Sequence, residues 1–481
     1  MKTKQLFLAL ILFTYSFFAF SQDGSPDLEF GNNGIVITDI NDNDDIAYAV
    51  DQAPSGRIIV AGLIDGSIYQ DFIIAYLEDG TMDTSFGDNG ILLTEYEGGS
   101  IKQVSIQEDG KIIIGKGYND NFTIIRYLID GSIDNTFGDE GYLSPLLAGE
   151  SKTSMVLTQD DKILLCGYDS NENFILKRFL QNGELDSDFG NEGTISYAFG
   201  NESNLPRRSI QLMENSSFVI GIKIINNGIT TSIMVRFNED GNIDTSYGTN
   251  GVITVPVDEL FSCSPLLFAN GDTLSRCQYW DSNSEEHVRT TIKFHPNGSI
   301  DLSFGYDGYL QGYIGEIIQG NQRILHVSRS YDWEGGLSID LSRYFANGAV
   351  DPSFSFESNY IIMGSANVLL LNSGKVLIAG SNIWYNWPID IILQQFHNSP
   401  LGVEDQQLQN FTVYPNPSIG IFKIHHDVIA SETQYQITDV TGKLIQTGEL
   451  TGEQTMINLS NKHSGMYFLN TSGKTYKLIK N

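Results

Sequence analysis

One five-residue phrase, an Asp followed three and four residues later by Phe and Gly, recurs through most of this 481-residue chain. The copies are Asp27-Leu28-Glu29-Phe30-Gly31, Asp83-Thr84-Ser85-Phe86-Gly87, Asp134-Asn135-Thr136-Phe137-Gly138 and Asp186-Ser187-Asp188-Phe189-Gly190. They continue as Asp244-Thr245-Ser246-Tyr247-Gly248, Asp301-Leu302-Ser303-Phe304-Gly305 and Asp351-Pro352-Ser353-Phe354, where Ser355 replaces the Gly. Successive Asp residues stand 56, 51, 52, 58, 57 and 50 apart. A period of that size means structural units that stack or radiate about an axis.

Each unit reads as four short strands. In the first, Gly34-Ile35-Val36-Ile37-Thr38 and Ile46-Ala47-Tyr48-Ala49-Val50 precede the turn Pro54-Ser55-Gly56. Arg57-Ile58-Ile59-Val60-Ala61 and Asp71-Phe72-Ile73-Ile74-Ala75-Tyr76-Leu77 come next, ending at the turn Asp79-Gly80. The second unit repeats the pattern from Ile91 to Tyr127, again with a Gly turn, Asp109-Gly110, before its third strand. No stretch sustains a 3.6-residue apolar period, so the expected fold is all-β. Four strands in about fifty residues match one blade of a β-propeller, and seven units suit a closed ring. The last unit ends in Ile391-Ile392-Leu393-Gln394-Gln395-Phe396, and Asp23-Gly24 near the start of the chain resembles the turn that succeeds such a strand in the other units. A superhelical β-solenoid is the competing architecture, although its coils are usually shorter.

The phrase has a structural reading. An Asp at a turn accepts hydrogen bonds from backbone N–H groups two or three residues on. The Gly can take positive φ where the chain reverses, and the aromatic is expected between neighbouring sheets.

Acidic residues number 59 against 28 basic. Six Lys (423, 443, 462, 474, 477 and 480) and five acids lie beyond Phe411, so the imbalance belongs to the repeats. A body so acidic repels phosphate backbones and excludes nucleic acid as a partner. Lys2 and Lys4, the apolar run Leu6 to Phe20 and the small-x-small end Ala19-Phe20-Ser21 read as a secretory signal over residues 1–21. No other segment is apolar enough to cross a bilayer as a helix. Three Cys (166, 263 and 277) are too few for a disulfide scaffold. Cys166 falls at a slot otherwise held by Ala61, Gly115, Gly221 and Ala379, as a small buried hydrophobe would. A two-residue turn at Asn270-Gly271 would set Cys263 opposite residue 278, with the sulfurs on opposite faces. A disulfide there needs a bulge or a longer loop.

The phrases, together with Asp-Gly-Lys-Ile-Ile-Ile inside the unit, resemble the delta-60 repeat family of secreted bacterial proteins over residues 23 to about 398. That resemblance implies a propeller-like fold and no settled activity. Sialidase-type Asp boxes look similar to Ser132-Ile133-Asp134-Asn135-Thr136-Phe137, but the middle Gly is missing and the spacing is shorter, so that chemistry is not carried over. After a polar linker over 399–410 the sequence changes character. Val413-Tyr414-Pro415-Asn416-Pro417, Gly442-Lys443, Gly465-Met466-Tyr467 and the basic end resemble the type A C-terminal sorting domain of the type nine secretion system of Bacteroidetes. The resemblance covers residues 411–481. Its alternation and turn spacing predict a small β-sandwich, and it implies the type nine machinery as a partner. It further implies passage through the outer membrane after Sec export, tail cleavage, and release or attachment at the cell surface.

The organisation expected is therefore a signal over 1–21, a seven-bladed propeller over 22–398, a linker, and the sorting domain. Catalytic motifs are missing from the sequence. The seven His (287, 295, 326, 397, 425, 426 and 463) form no metal-ligand pair. There is no nucleophile elbow, phosphate loop or dinucleotide fingerprint, and no catalytic, cofactor or metal residue is assigned. Acid-rich stretches at Asp39 to Asp45, Asp240 to Asp244 and Asp281 to Glu286 raise calcium, but none has the Gly and distal Glu of a calcium loop. Solvated loops are the default. Tyr331, Trp333, Trp384, Tyr385 and Trp387 gather in the last two units, where they suit either stacking on sugar or packing on a partner, or simple closure of the ring. Arg276 and His326 occupy the otherwise small slot and break the repeat pattern. The functional expectation is a non-catalytic propeller binding a glycan or surface protein; the alternative is an extracellular polysaccharide hydrolase or lyase.

Overall fold

The computed structural model describes residues 23–398 and 412–480. Left out within the first span are residues 67–68, 96–98, 119–120, 146–152, 170–172, 200–201, 205–209, 214, 227–228, 257–259, 282–285, 332–336, 357–362 and 382–388. In the second span they are 415–417, 426–432, 440–442, 451–453 and 472–473. The signal segment and the linker thus lie outside the described residues. The chain forms two compact units, Met1–Ser399 and Pro400–Asn481. All regular structure among the described residues is strand, and no helix is long and apolar enough to cross a membrane.

In the first unit the described strands form antiparallel sheets in chain order. The first sheet is Asp44–Gln52, Ile58–Asp65, Gln70–Tyr76 and Ile91–Glu95. The second is Ser100–Ile106, Ile112–Tyr118, Asn121–Tyr127 and Tyr142–Leu143, and the third is Ser154–Leu157, Ile163–Tyr168, Phe174–Phe179 and Thr194–Tyr197. In the fourth, Glu202–Asn204 and Ile210–Leu212 both pair with Phe218–Asn226, next to Ile229–Phe237 and Val252–Thr254. The fifth is Leu260–Leu267, Thr273–Asp281, Glu286–Phe294 and Tyr309–Gln311; the sixth is Ile317–Ile318, Ile324–Tyr331 and Leu337–Tyr344. The seventh joins Met363–Leu370, Val376–Ser381 and Ile391–Phe396 to the first strand of the chain, Ile35–Thr38.

That last pairing corrects the grouping expected from sequence. Ile35 faces Gln394 and Thr38 faces Ile391, so the opening strand belongs to the sheet at the far end of the repeats. Every sheet boundary accordingly shifts by one strand from the sequence reading.

The strands are continuous apolar runs because neighbouring sheets cover both faces. Ile163–Tyr168, Val376–Ser381 and Ile391–Phe396 are buried at every position. Each core cluster of this unit spans adjacent sheets: Ile58, Ile74, Leu377 and Leu393 share one, and Ile113, Phe137, Ile163 and Leu165 share another. The second unit is built from Thr412–Tyr414, Ile421–His425 and Gln454–Asn458 in one sheet, and Leu444–Leu450, Thr433–Asp439, Gly465–Thr471 and Lys474–Lys480 in the other. Phe422, Ile424, Ile437, Ile457, Leu469 and Leu478 form a single core between them.

A second correction concerns the cysteines. The turn after Leu267 takes in residues 268–272, so Cys263 faces Cys277 directly and a disulfide joins them. The longer loop moves the register by one residue and puts both sulfurs on the same face. Cys166 is a buried thiol outside the disulfide, as its small slot predicts.

Candidate functional site

The repeated phrase builds a weld between consecutive sheets. In Asp134-Asn135-Thr136-Phe137-Gly138, one carboxylate oxygen of Asp134 accepts the backbone N–H of Thr136 at 3.0 Å and its hydroxyl at 2.6 Å. The Phe137 N–H returns to the Asp134 carbonyl at 3.0 Å. Asp83, Asp244, Asp301 and Asp351 hold their Ser two residues on in the same way. Gly138 sits at φ 53°, and a Cβ there would come within 2.2 Å of the Tyr142 carbonyl oxygen, so the turn tolerates only glycine. Its N–H then crosses to the next sheet and donates to the carbonyl of Asn182 at 2.9 Å. The Phe137 ring, fully buried, lies against Gly183 of that neighbour.

The second carboxylate oxygen meets a cation. Arg126 pairs with Asp134 at 2.8 Å, Arg178 with Asp186 at 2.6 Å, Arg236 with Asp244 at 2.8 Å and Lys293 with Asp301 at 3.0 Å. These cations come from the third strand of each sheet. Where that position is Ala75, Arg57, just before the second strand, pairs with Asp83 instead; where it is Gln395, Lys375, just before the second strand of its sheet, pairs with Asp27 at 2.5 Å. The guanidinium also stacks on the phrase aromatic, Arg126 over Phe137 at 4.6 Å and Arg178 over Phe189 at 4.6 Å. Burial alone would lift Asp134, but the Thr136 hydrogen bonds and the Arg126 charge outweigh it and hold the carboxyl below its usual range. Asp186, Asp244, Asp301 and Asp351 are lowered by the same balance. These acids are anchors, ionised and engaged.

Among the described residues of the acid-rich stretches, several carboxylates are already engaged within the chain. Asp39 accepts the Asp42 N–H at 2.9 Å, Asp44 the Ile389 N–H at 2.9 Å, and Asp45 the Ile40 N–H at 2.6 Å. Asp244 is committed to Arg236, and most of the Asp281 to Glu286 stretch lies outside the described residues. Among the described residues, Asp272, His295 and Asp301 bring three ligand atoms within 4.8 Å of one another. The Lys293 ammonium already stands between the two carboxylates, 3.2 Å from Asp272 and 3.0 Å from Asp301, so a cation charge is supplied by the chain itself.

The two pattern-breakers, Arg276 and His326, belong to one polar cluster that also contains Glu316, which sequence reasoning missed because no local motif marks it. Arg276 reaches the Glu316 carboxylate at 3.5 Å, donates to the Ser264 hydroxyl at 3.0 Å and donates to the Gly315 carbonyl. Burial, then the Arg276 charge, lowers His326 against the pull of Glu316 and Asp340, favouring the neutral imidazole. Its Nδ1 is buried without a hydrogen-bond partner. The cluster pairs a carboxylate, a guanidinium and a neutral imidazole at one place in the repeats.

The rim aromatics Trp333, Trp384, Tyr385 and Trp387 lie outside the described residues, as does the side chain of Tyr331. Their position along the chain still matters, because antiparallel strands send alternate connections to opposite ends of a sheet. At one end, the connections 53–57, 107–111, 158–162, 213–217, 268–272, 319–323 and 371–375 are all five residues long. The phrase connections 77–90, 128–141, 180–193, 238–251 and 295–308 lie at that end too and are all fourteen. At the other end the connections between second and third strands vary, from two residues at 119–120 to nine at 382–390. The aromatics fall in two of these variable connections.

Residues 412–481 match the secretion system C-terminal sorting domain, and residues 53–86, 107–137, 158–189 and 219–247 match the beta-propeller domain of unknown function DUF5122. Among curated proteins none matches the chain. Among solved structures, the polysaccharide lyase Uly1 aligns at 9% identity and TM-score 0.46, covering 76% of this chain and 91% of that one. The BP39L lectin from Burkholderia pseudomallei aligns at 6% and 0.40, covering 73% and 96%. The α-L-arabinanase of Penicillium chrysogenum aligns at 9% and 0.33, covering 60% and 91%. The class is thus an all-β protein of propeller-like repeats. More particularly, it is a propeller-repeat protein sorted by the type nine secretion system, which delivers it to the cell surface or the extracellular space.

Proposed function

We propose that the repeats close into a seven-bladed propeller over residues 22–398 and that the exported protein binds a glycan or a surface protein without acting on it. Closure is supported by the pairing of Ile35–Thr38 with Ile391–Phe396. It is also supported by the innermost strands, since Ile317–Ile318 neighbours Met363–Leu370, which in turn neighbours Asp44–Gln52. The observation that carries the binding reading is the contrast between the two ends of the sheets. One end has connections of fixed length and spends its carboxylates on welding sheets together; the other is free to vary, and it receives the aromatic-rich connections 332–336 and 382–390. Trp and Tyr in connections of variable length suit a sugar ring or a partner surface.

The test is a glycan array and a surface-protein binding screen with the mature chain. Binding should vanish when Trp384, Tyr385 and Trp387 are all replaced by Ser, which leaves Ile389 and Asp390 in place, with the melting temperature unchanged. Binding that survives the replacement removes this rim from the account. A second reading, a polysaccharide hydrolase or lyase, is favoured by one observation: Arg276, Glu316 and His326 stand together. New reducing ends or unsaturated products released by the wild type and abolished by Glu316→Gln would establish it. A panel of acidic and neutral polysaccharides left intact would dismiss it.

A further inference from the structure

Among the described residues, the carboxyl of Asp45 is buried with no cation beside it. Asp45 is the second residue of the strand Asp44–Gln52, just after the chain leaves the last sheet, and its side chain is fully buried. One oxygen accepts the Ile40 N–H at 2.6 Å; the other is buried with no hydrogen-bond partner. The groups facing it are the carboxylates of Asp39, Asp44 and Asp390 and the phenol of Tyr76, whose hydroxyl is shared with Thr38 at 2.7 Å. Every phrase Asp, by contrast, has a Lys or Arg beside it.

The backbone around this carboxyl fastens the first inner strand to the last sheet. The Asp45 N–H donates to the Ile389 carbonyl at 2.6 Å, and the Ile389 N–H donates to Asp44 at 2.9 Å. The Ala47 N–H donates to the Ser381 hydroxyl at 2.8 Å. A charged carboxylate buried here would lack a donor on one oxygen and would be the fourth negative group of its cluster.

We propose that Asp45 is a proton-operated clasp: its neutral carboxyl holds the first inner strand against the last sheet in mild acid, and losing that proton to solvent loosens the joint as the medium approaches neutrality. Burial, reinforced by Asp39, Asp390 and Asp44, lifts the group from 3.8 to about 7 in the closed joint. When the joint opens, the carboxyl reaches water and returns to its ordinary range. The closed form therefore binds the proton more tightly, and the closing free energy falls as pH rises from about 4 to about 7, then levels off. This is opposite in sign to the phrase carboxylates, whose lowered values act only in stronger acid.

The experiment is hydrogen exchange on the full mature chain from pH 5 to 8.5, in the presence of chelator, with rates corrected for intrinsic base catalysis. Protection of the Ala47 and Ile389 amides should fall about tenfold per pH unit up to neutrality and then stay flat. Asp45→Asn should abolish the slope. Asp390→Asn, which removes one facing charge and leaves Asp45 in place, should start the plateau at lower pH. A wild-type profile flat from pH 5 to 7, or a slope unchanged in Asp45→Asn, overturns the proposal. If Asp45→Asn does not fold, an Asp390→Asn plateau at the wild-type pH overturns it as well.

Discussion

The backbone N–H of Ser355 donates to the carbonyl of Asp23 at 2.9 Å. It is the bond that Gly138 makes to Asn182, Gly87 to Asp130 and Gly305 to Asn347, now made between the last phrase and the first described residue of the chain. The side chain of Asp23 adds to it, taking Arg343 at 2.8 Å. Arg343 is itself wholly buried and also holds Asp351 at 2.7 Å and the Asn398 side chain at 2.8 Å.

Arg343→Ala should therefore be among the most damaging single changes in the repeats. It leaves Asp23 and Asn398 without this donor in a dry site, and breaking a buried pair from one side costs about 3–5 kcal/mol. Lys375→Ala, whose side chain is about a third exposed, should cost about 1 kcal/mol or less. Urea midpoints of the two variants compare them directly. Equal, small shifts would mean that the Arg343 junction does not hold the first segment to the last.

Phe137 represents the phrase aromatics. Its ring fills the space between the second and third sheets beside Ile113 and Leu165, and it carries the Arg126 guanidinium on one face. Phe137→Ala removes that contact and opens a cavity, a loss of about 3–5 kcal/mol. A thermal melt unmoved by the substitution would contradict the burial on which the weld depends.

Much of this fold could be read from the sequence because one solution is repeated. Asp, Phe and Gly at fixed spacing announce a turn, a buried ring and a positive φ, and Asp134, Phe137 and Gly138 take those roles. What stayed hidden depends on pairing between distant segments. Nothing local in Ile35-Val36-Ile37-Thr38 says that its partner lies some 350 residues on, and nothing near Glu316 announces Arg276. The exchange of Arg126 for Arg57 as the partner of the phrase Asp was present in the aligned units, but it gains meaning only once the third strand and the turn before the second are known to meet at one carboxylate. The disulfide turned on a single residue of register.

The Cys263–Cys277 bond joins two buried positions of adjacent strands. Closing a loop of this size contributes about 3 kcal/mol in the chain-entropy account. Because both sulfurs are enclosed, reductant should leave the folded protein intact and act only once denaturant opens the fifth sheet. Thiol titration in native buffer should find no reactive group, Cys166 being buried too. Two thiols appearing without denaturant would show that this sheet opens readily.

Calcium should have no effect on the melting of the repeats. The described residues that come nearest to a ligand set are Asp272, His295 and Asp301, and Lys293 occupies the space between their carboxylates with its own charge. A divalent ion would have to displace that ammonium and bury both charges together, at a Coulombic cost that a partly exposed His295 does little to offset. Melting curves with calcium and with chelator should therefore superimpose. Lys293→Met reverses the situation: it leaves two buried carboxylates and an imidazole facing one another, so the variant should melt lower in chelator and recover with a divalent metal that accepts nitrogen and oxygen ligands. A wild type already stabilised by calcium would mean that the acids elsewhere in the repeats gather an ion. A Lys293→Met variant indifferent to every metal would mean that the three ligand atoms cannot close on one.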